Sequence, residues 1–179
     1  LRALMASCGG LITLAEAPEQ IPDTRCNNDS KAITAAGPAG AIIAPHVDHV
    51  LVAAFSNTRR TAALRAVAQA GSVRRPATSG GTGTLLPLLL AVWLRWRWLA
   101  ARSLRGIDAL QIPEHQGRLR VLSPRLLSFA HSLGVEVHVW TVNEAIDMRR
   151  LLNAGVDGLI TDRADIALAI VAEWAQTRS

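Results

Sequence analysis

The chain has 179 residues and a formal net charge of +5; half of its residues are apolar, 18% are charged and 4% are aromatic. That length and apolar share fit a globular domain with a proper core and exclude a disordered or low-complexity chain. The positive balance comes from scattered arginines, with Lys31 as the only lysine. No RNA- or DNA-binding motif accompanies them, so no nucleic-acid partner is expected.

Cys8 and Cys26 form neither a metal-like pair nor a disulfide framework, which makes a reducing cytoplasm the expected location. The chain opens on Leu1 rather than Met, and no basic-then-apolar leader follows. Short β-rich runs then alternate with helical patterns. The expected strands are Arg25–Lys31, Asp48–Ser56, Val73–Ser79, Ile107–Ile112, Val135–Val142 and Gly158–Thr161. Between them the spacing predicts helices near Ala32–Ala44, Thr58–Ala70, Leu85–Arg102, Pro124–Leu133, Glu144–Ala154 and Ala164–Ala175. Ser123-Pro124 is a helix entry, with a capping hydroxyl followed by proline in the first turn. Asn143 can cap the helix after it, and Gly134 and Gly155 follow helices where a left-handed residue is wanted.

One segment raises a membrane question. Thr84 to Ala101, "TLLPLLLAVWLRWRWLAA", is strongly apolar, but Pro87 sits early in it and Arg95 and Arg97 sit inside it. A central arginine costs roughly 2.5–3.5 kcal/mol on insertion scales, and the uninterrupted run is shorter than the ~20 residues that cross a bilayer. The segment reads as a helix packed on a sheet with its arginines reaching solvent. The other reading is membrane contact through Leu85–Ala101, an interfacial anchor with Trp93, Trp96 and Trp98 at the headgroup level.

Regular strand–helix alternation implies an α/β fold with a parallel sheet. Six βα units make either an open doubly wound sheet or part of a (β/α)8 barrel, which needs ~250 residues when complete. No Gly-rich phosphate loop follows the first strand. In a barrel, function sits at the carboxyl ends of the strands. Here those ends are Asp29-Ser30-Lys31, Phe55-Ser56-Asn57, Thr78-Ser79-Gly80, Gln111-Ile112-Pro113, Trp140-Thr141-Val142-Asn143 and Thr161-Asp162-Arg163. Most are polar where the strand bodies are apolar, so "VHVWTVN" finishes where a cavity begins, with Trp140 lining it.

The run "GVEVHVWTVNEAIDMRRLLNAGVDGLITDR" resembles the end of the glycerophosphodiester phosphodiesterase family, whose signature runs from a V-H-x-W-T-V-N strand to G-V-D-G-I-I-T-D-x-P. Upstream, "DALQIPEHQGRLRVLSPRLLSFAHSLG" and "DHVLVAAFSN" resemble the family's middle strands, and "IPDTRCNNDSK" resembles its F-N-I-E-x-K strand. The resemblance implies a (β/α)8 barrel and a phosphoric diester hydrolase of lipid metabolism. Such enzymes use a divalent metal, Ca²⁺ or Mg²⁺, to convert glycerophosphodiesters into glycerol 3-phosphate and an alcohol. It implies that Asp29 stands where the family has a metal-binding glutamate, that Lys31 faces the phosphate, and that Trp140, with Gln111 and Asn143, contacts the substrate. The residue types agree: Asp29 and Lys31 share a strand face, a carboxylate suits a hard cation, and an ammonium suits a phosphate. A plain ion pair inside the barrel is the alternative for these two.

The family's H-R-G motif, its E-x-D ligand pair and the histidine that follows have no counterpart here; Glu16 and Glu19 lack an E-x-D setting. The six strands correspond to the third through eighth of a barrel. The expected fold is therefore an incomplete (β/α)8 barrel, with residues 1–179 as one truncated domain and two strand edges exposed to pairing. His46 and His49 lie at a strand entrance, His115 lies near the rim, His131 is on a helix, and His138 is a core histidine one layer below Trp140. With one carboxylate and no positioned acid or base, metal binding should be weak, and ~10²–10⁴-fold in rate should vanish per lost group. A non-catalytic phosphate-binding module built on "GVDGLITDR" is the rival from another class, and a membrane-associated relic is a further one.

Overall fold

The computed structural model describes residues 12–177, so Cys8 lies outside the described residues. The chain divides into two compact units, the first running to Ala77 and the second beginning at Thr78.

In the first unit a short helix α1 (Ala17–Gln20) precedes strand β1 (Cys26–Asp29), helix α2 (Ala36–Ile43), strand β2 (Val50–Ala53) and helix α3 (Asn57–Gln69). β1 and β2 are parallel, with Cys26 opposite Val50 and Asp29 opposite Ala53. A parallel pair needs a crossover, and α2 supplies it. Pro38 is tolerated because it stands in the first turn of α2, where the amide it lacks has no intrahelical partner. Ile43, Val50, Val52, Ala63 and Val67 are sealed into the core. The two helices approach closely at Gly40, where a Cβ would lie 2.5 Å from that of Ala66.

Strand β3 (Ala77–Thr78) spans the sequence boundary between the units. The second unit continues through helices α4 (Thr82–Trp93) and α5 (Arg97–Ser103), strand β4 (Ala109–Pro113) and a small hairpin of β5 (His115–Gln116) and β6 (Leu119–Arg120). Helix α6 (Pro124–Ser132), strand β7 (Glu136–Trp140), helix α7 (Ala145–Ala154), strand β8 (Gly158–Leu159) and helix α8 (Ala164–Gln176) complete it. β4, β7 and β8 form a parallel sheet in that order. Ser79 bridges to Ala109 on the other edge of β4. Beyond β8 the ladder runs on, since Val142 N–H donates to the Ile160 carbonyl at 3.0 Å. The core gathers Leu88, Leu110, Ile112, Val137, Val139, Met148 and Leu151.

Local signals account for most of these boundaries. Ser123 Oγ accepts from Leu126 N–H at 3.2 Å and so caps α6. Gly155 closes α7 with φ +95, a conformation open to glycine at no steric cost. Two expectations are corrected. The segment Leu85–Arg102 is two helices, not one: Trp96 N–H reaches back to the Ala91 carbonyl and Arg95 N–H to that of Val92. This is the Schellman closure, and Arg95 occupies its left-handed position with φ 61. Asn143 does not cap α7, whose N-cap is Glu144 with no side-chain hydrogen bond; its amide is used elsewhere, as described below. No helix among the described residues is long and apolar enough to cross a membrane.

Candidate functional site

Asp29 ends β1 and Lys31 follows two residues later. Their side chains meet, with Lys31 Nζ 2.5 Å from Asp29 Oδ2; the lysine is 74% exposed and the aspartate 32%. Lys31 Nζ also lies 5.3 Å from the centre of the Phe55 ring, within cation–π reach. Arg59, in the first turn of α3, donates its guanidinium to the Lys31 carbonyl and fixes the backbone there. Asp29 Oδ1 is buried without a hydrogen-bond partner, as is Asn28 Nδ2. An unsatisfied buried polar group costs about 1–3 kcal/mol, so such atoms in a folded protein call for a reason. Here they mark a strand end that presents a cation beside unused polar atoms.

The second unit holds the other expected residues. Gln111, His138 and Gly158 are register partners across β4, β7 and β8, and Pro113 opposite Trp140 forms the next rung on the same face toward the carboxyl end. On β7, Val137 and Val139 are buried, while Glu136, His138 and Trp140 take the other face. His138 Nε2 lies 3.0 Å from Glu136 Oε2. The ring sits over Gly158, where a Cβ would come within 2.7 Å of His138 Cδ2. His138 is thus engaged in packing one rung below Trp140. Trp140 itself is half-buried, and the peptide joining it to Thr141 is cis.

Asn143 ties two strand ends together. Its Oδ1 accepts from Thr161 Oγ1 at 3.0 Å and Asp162 N–H at 2.9 Å, and its Nδ2 donates to Asp162 Oδ2 at 3.2 Å. These bonds hold "VWTVN" against "ITDR", which positions the rim. Sequence reasoning missed Glu114, the residue after Pro113. Arg150 of α7 grips its carboxylate with a bidentate fork at 2.8 and 2.7 Å, and also reaches Asp147. Those hydrogen bonds hold the Glu114 carboxyl below the ordinary carboxylate value and raise the Arg150 guanidinium. The signal was a carboxylate at a strand end, but its partner stands 36 residues away.

The remaining histidines lie elsewhere. The His49 carbonyl accepts from Cys26 N–H at 2.7 Å, at the amino end of β1. His115 is exposed on the β5–β6 hairpin. His131 Nε2 lies 2.7 Å from Asp157 Oδ2.

Residues 12–166 match the Glycerophosphoryl diester phosphodiesterase family. The chain belongs to that family. It is 38% identical over 178 residues to the Mycobacterium tuberculosis protein named "Probable glycerophosphodiester phosphodiesterase 2", covering 97% of this chain and 66% of that protein. Among solved structures, a glycerophosphodiester phosphodiesterase from Parabacteroides distasonis is similar in fold, with a TM-score of 0.60, 17% identity, and 90% of this chain and 63% of that one covered. A phosphodiesterase from Oleispira antarctica, solved in complex with the product sn-glycerol-3-phosphate, aligns with a TM-score of 0.59 at 17% identity over 89% of this chain and 61% of that one. The chain therefore spans less than two thirds of the length of each of these relatives.

The family resemblance implies a divalent metal, and the donor set can be tested against that. A hard cation such as Ca²⁺ takes six or more oxygen ligands. Among the described residues no three His, Cys, Asp or Glu side chains converge. Asp29 offers one unpartnered oxygen, and its other oxygen is held by Lys31. These residues do not by themselves fit the ion.

Proposed function

We propose that this chain carries the phosphate-binding part of a glycerophosphodiester phosphodiesterase and that its described residues do not suffice for hydrolysis. The observation that carries the reading is the Asp29–Lys31 pair at the end of β1, with Asp29 Oδ1 buried and unpartnered. Family membership supports the substrate class, and so does the glycerol 3-phosphate bound to the Oleispira relative. An incomplete (β/α)8 barrel, read as one truncated domain, is the architecture we propose with it.

Lys31 is the residue that faces the phosphate. Its ammonium is held near Phe55 and Asp29 and can swing toward an anion, because most of its side chain is in solvent. Asp29 holds that cation in position; in the family's terms it stands as a metal ligand. Within the second unit, taken by itself, Trp140, Gln111 and Asn143 are the residues assigned to substrate contact, with Asn143 fixing the rim. None of the described histidines stands beside Asp29 and Lys31 within the first unit as an acid or base. His49, the nearest in register terms, lies at the opposite end of β1.

Glycerol 3-phosphate release from glycerophosphocholine, followed across a Ca²⁺ and then a Mg²⁺ titration, tests this. The expected result is release at the uncatalysed background, because each missing acid–base group removes ~10²–10⁴-fold. Metal-dependent turnover by a folded sample would overturn the claim that these residues do not suffice.

A further inference from the structure

We propose that the α4–α5 hairpin docks on a membrane surface bearing anionic lipid. Helix α4 buries one stripe, Thr84, Leu88, Ala91 and Val92, against the core of its unit. Its other stripe is apolar as well. Leu86, Leu90 and Trp93 stand at i, i+4 and i+7 with 67%, 51% and 75% of their surface in solvent, and Trp96 and Trp98 extend the patch at 48% and 68%. A helix of a water-soluble unit ordinarily turns a polar face outward, and contiguous exposed apolar surface marks a contact. Three tryptophans at one exposed corner suit a bilayer interface, where an amphipathic ring finds both acyl chains and headgroups.

Charge selects the occupant. Within the hairpin's own unit, residues 78 through 107 contain four arginines (Arg95, Arg97, Arg102 and Arg105) and no Asp or Glu. Arg95, Arg97 and Arg125 surround a cavity of about 290 Å³ whose apolar wall is made by Ala91, Val92 and Phe129. Arg97 lies 5.9 Å from the centre of the Phe129 ring. A phosphate with an attached hydrocarbon chain matches that lining. The turn joining the helices is held in a costly form to achieve this. Arg95 occupies the left-handed C′ position that glycine fills most readily, and a non-glycine residue there costs roughly 1–2 kcal/mol. The backbone thus accepts strain at a residue whose side chain joins the lining of that cavity. With no helix long enough to span a bilayer among the described residues, the hairpin lies on the surface.

Flotation with vesicles of equimolar phosphatidylglycerol and phosphatidylcholine tests the inference, with pure phosphatidylcholine vesicles alongside. The protein should float with the anionic vesicles only and be released by high salt. Arg95→Gln and Arg97→Gln should each weaken binding about fivefold. Trp93→Ser with Trp98→Ser should abolish flotation while far-UV circular dichroism stays unchanged, both side chains being exposed. No flotation by folded protein would overturn the proposal, and so would equal binding to both vesicle types. Self-association that the tryptophan variant disperses, without vesicle binding, would assign the patch to a second copy of the chain and overturn it likewise. Salt-sensitive RNA binding without vesicle binding would do the same in favour of a nucleic acid.

Discussion

Single residues carry much of this fold's local logic. Gly158 is glycine because the His138 ring occupies the space a Cβ would need, at 2.7 Å. Gly158→Ala should therefore destabilise the chain by about 1–3 kcal/mol, the usual cost of overpacking. Urea unfolding checks this, and His138→Ala in the same chain should recover most of the loss. Glu114 supplies a second test. Its carboxyl is held below the ordinary value of 4.5, first by hydrogen bonds from Arg150. A depressed carboxyl contributes stability above its unfolded pKa and loses it as pH falls through the folded one. The stability gap between the unmodified chain and Glu114→Gln should be full at neutral pH, about 0.5–1 kcal/mol for a bidentate pair open to solvent, and should shrink below pH 4.5. A gap independent of pH would contradict the assignment.

At the scale of elements, two aspartates do for strand entrances what caps do for helices. Asp108 Oδ2 accepts from Thr78 N–H at 2.8 Å, and Asp157 Oδ2 accepts from Val137 N–H at 2.7 Å. Each precedes its own strand and satisfies the amide of the second residue of the neighbouring one. Asp157→Ala leaves the amide of fully buried Val137 without this partner, and thermal unfolding should report a loss of about 1–3 kcal/mol. The α4–α5 junction tests the opposite sign: Arg95→Gly should raise stability by up to ~1 kcal/mol by removing a strained left-handed arginine, even as it weakens vesicle binding. Elements with punctuation were legible in the sequence, as Ser123-Pro124 and Gly155 show. The break at Arg95 was not, because "LAVWLRWRWLAA" contains neither glycine nor proline and its turn is set by backbone bonds. Asn143 misled for a related reason. Its side chain could serve either its own helix or a distant loop, and contacts with Thr161 and Asp162 decided the matter.

For the whole molecule, order along the chain was the most legible property. Alternating strands and helices place parallel pairs in both units, and the run from Val135 to Arg163 carries the family signature. Pairings far apart in sequence, such as Glu114 with Arg150, were not legible, since nothing local distinguishes them from solvated charges. We propose that the chain keeps the phosphate side of the family's site, centred on Lys31. Calorimetric titration of sn-glycerol 3-phosphate into the chain and into Lys31→Ala, without added metal, tests it most directly. Saturable binding is expected, weakened about tenfold by Lys31→Ala, the ~1.4 kcal/mol of a charge-assisted contact. Equal affinity in the two proteins, or no binding by a folded sample, would contradict it.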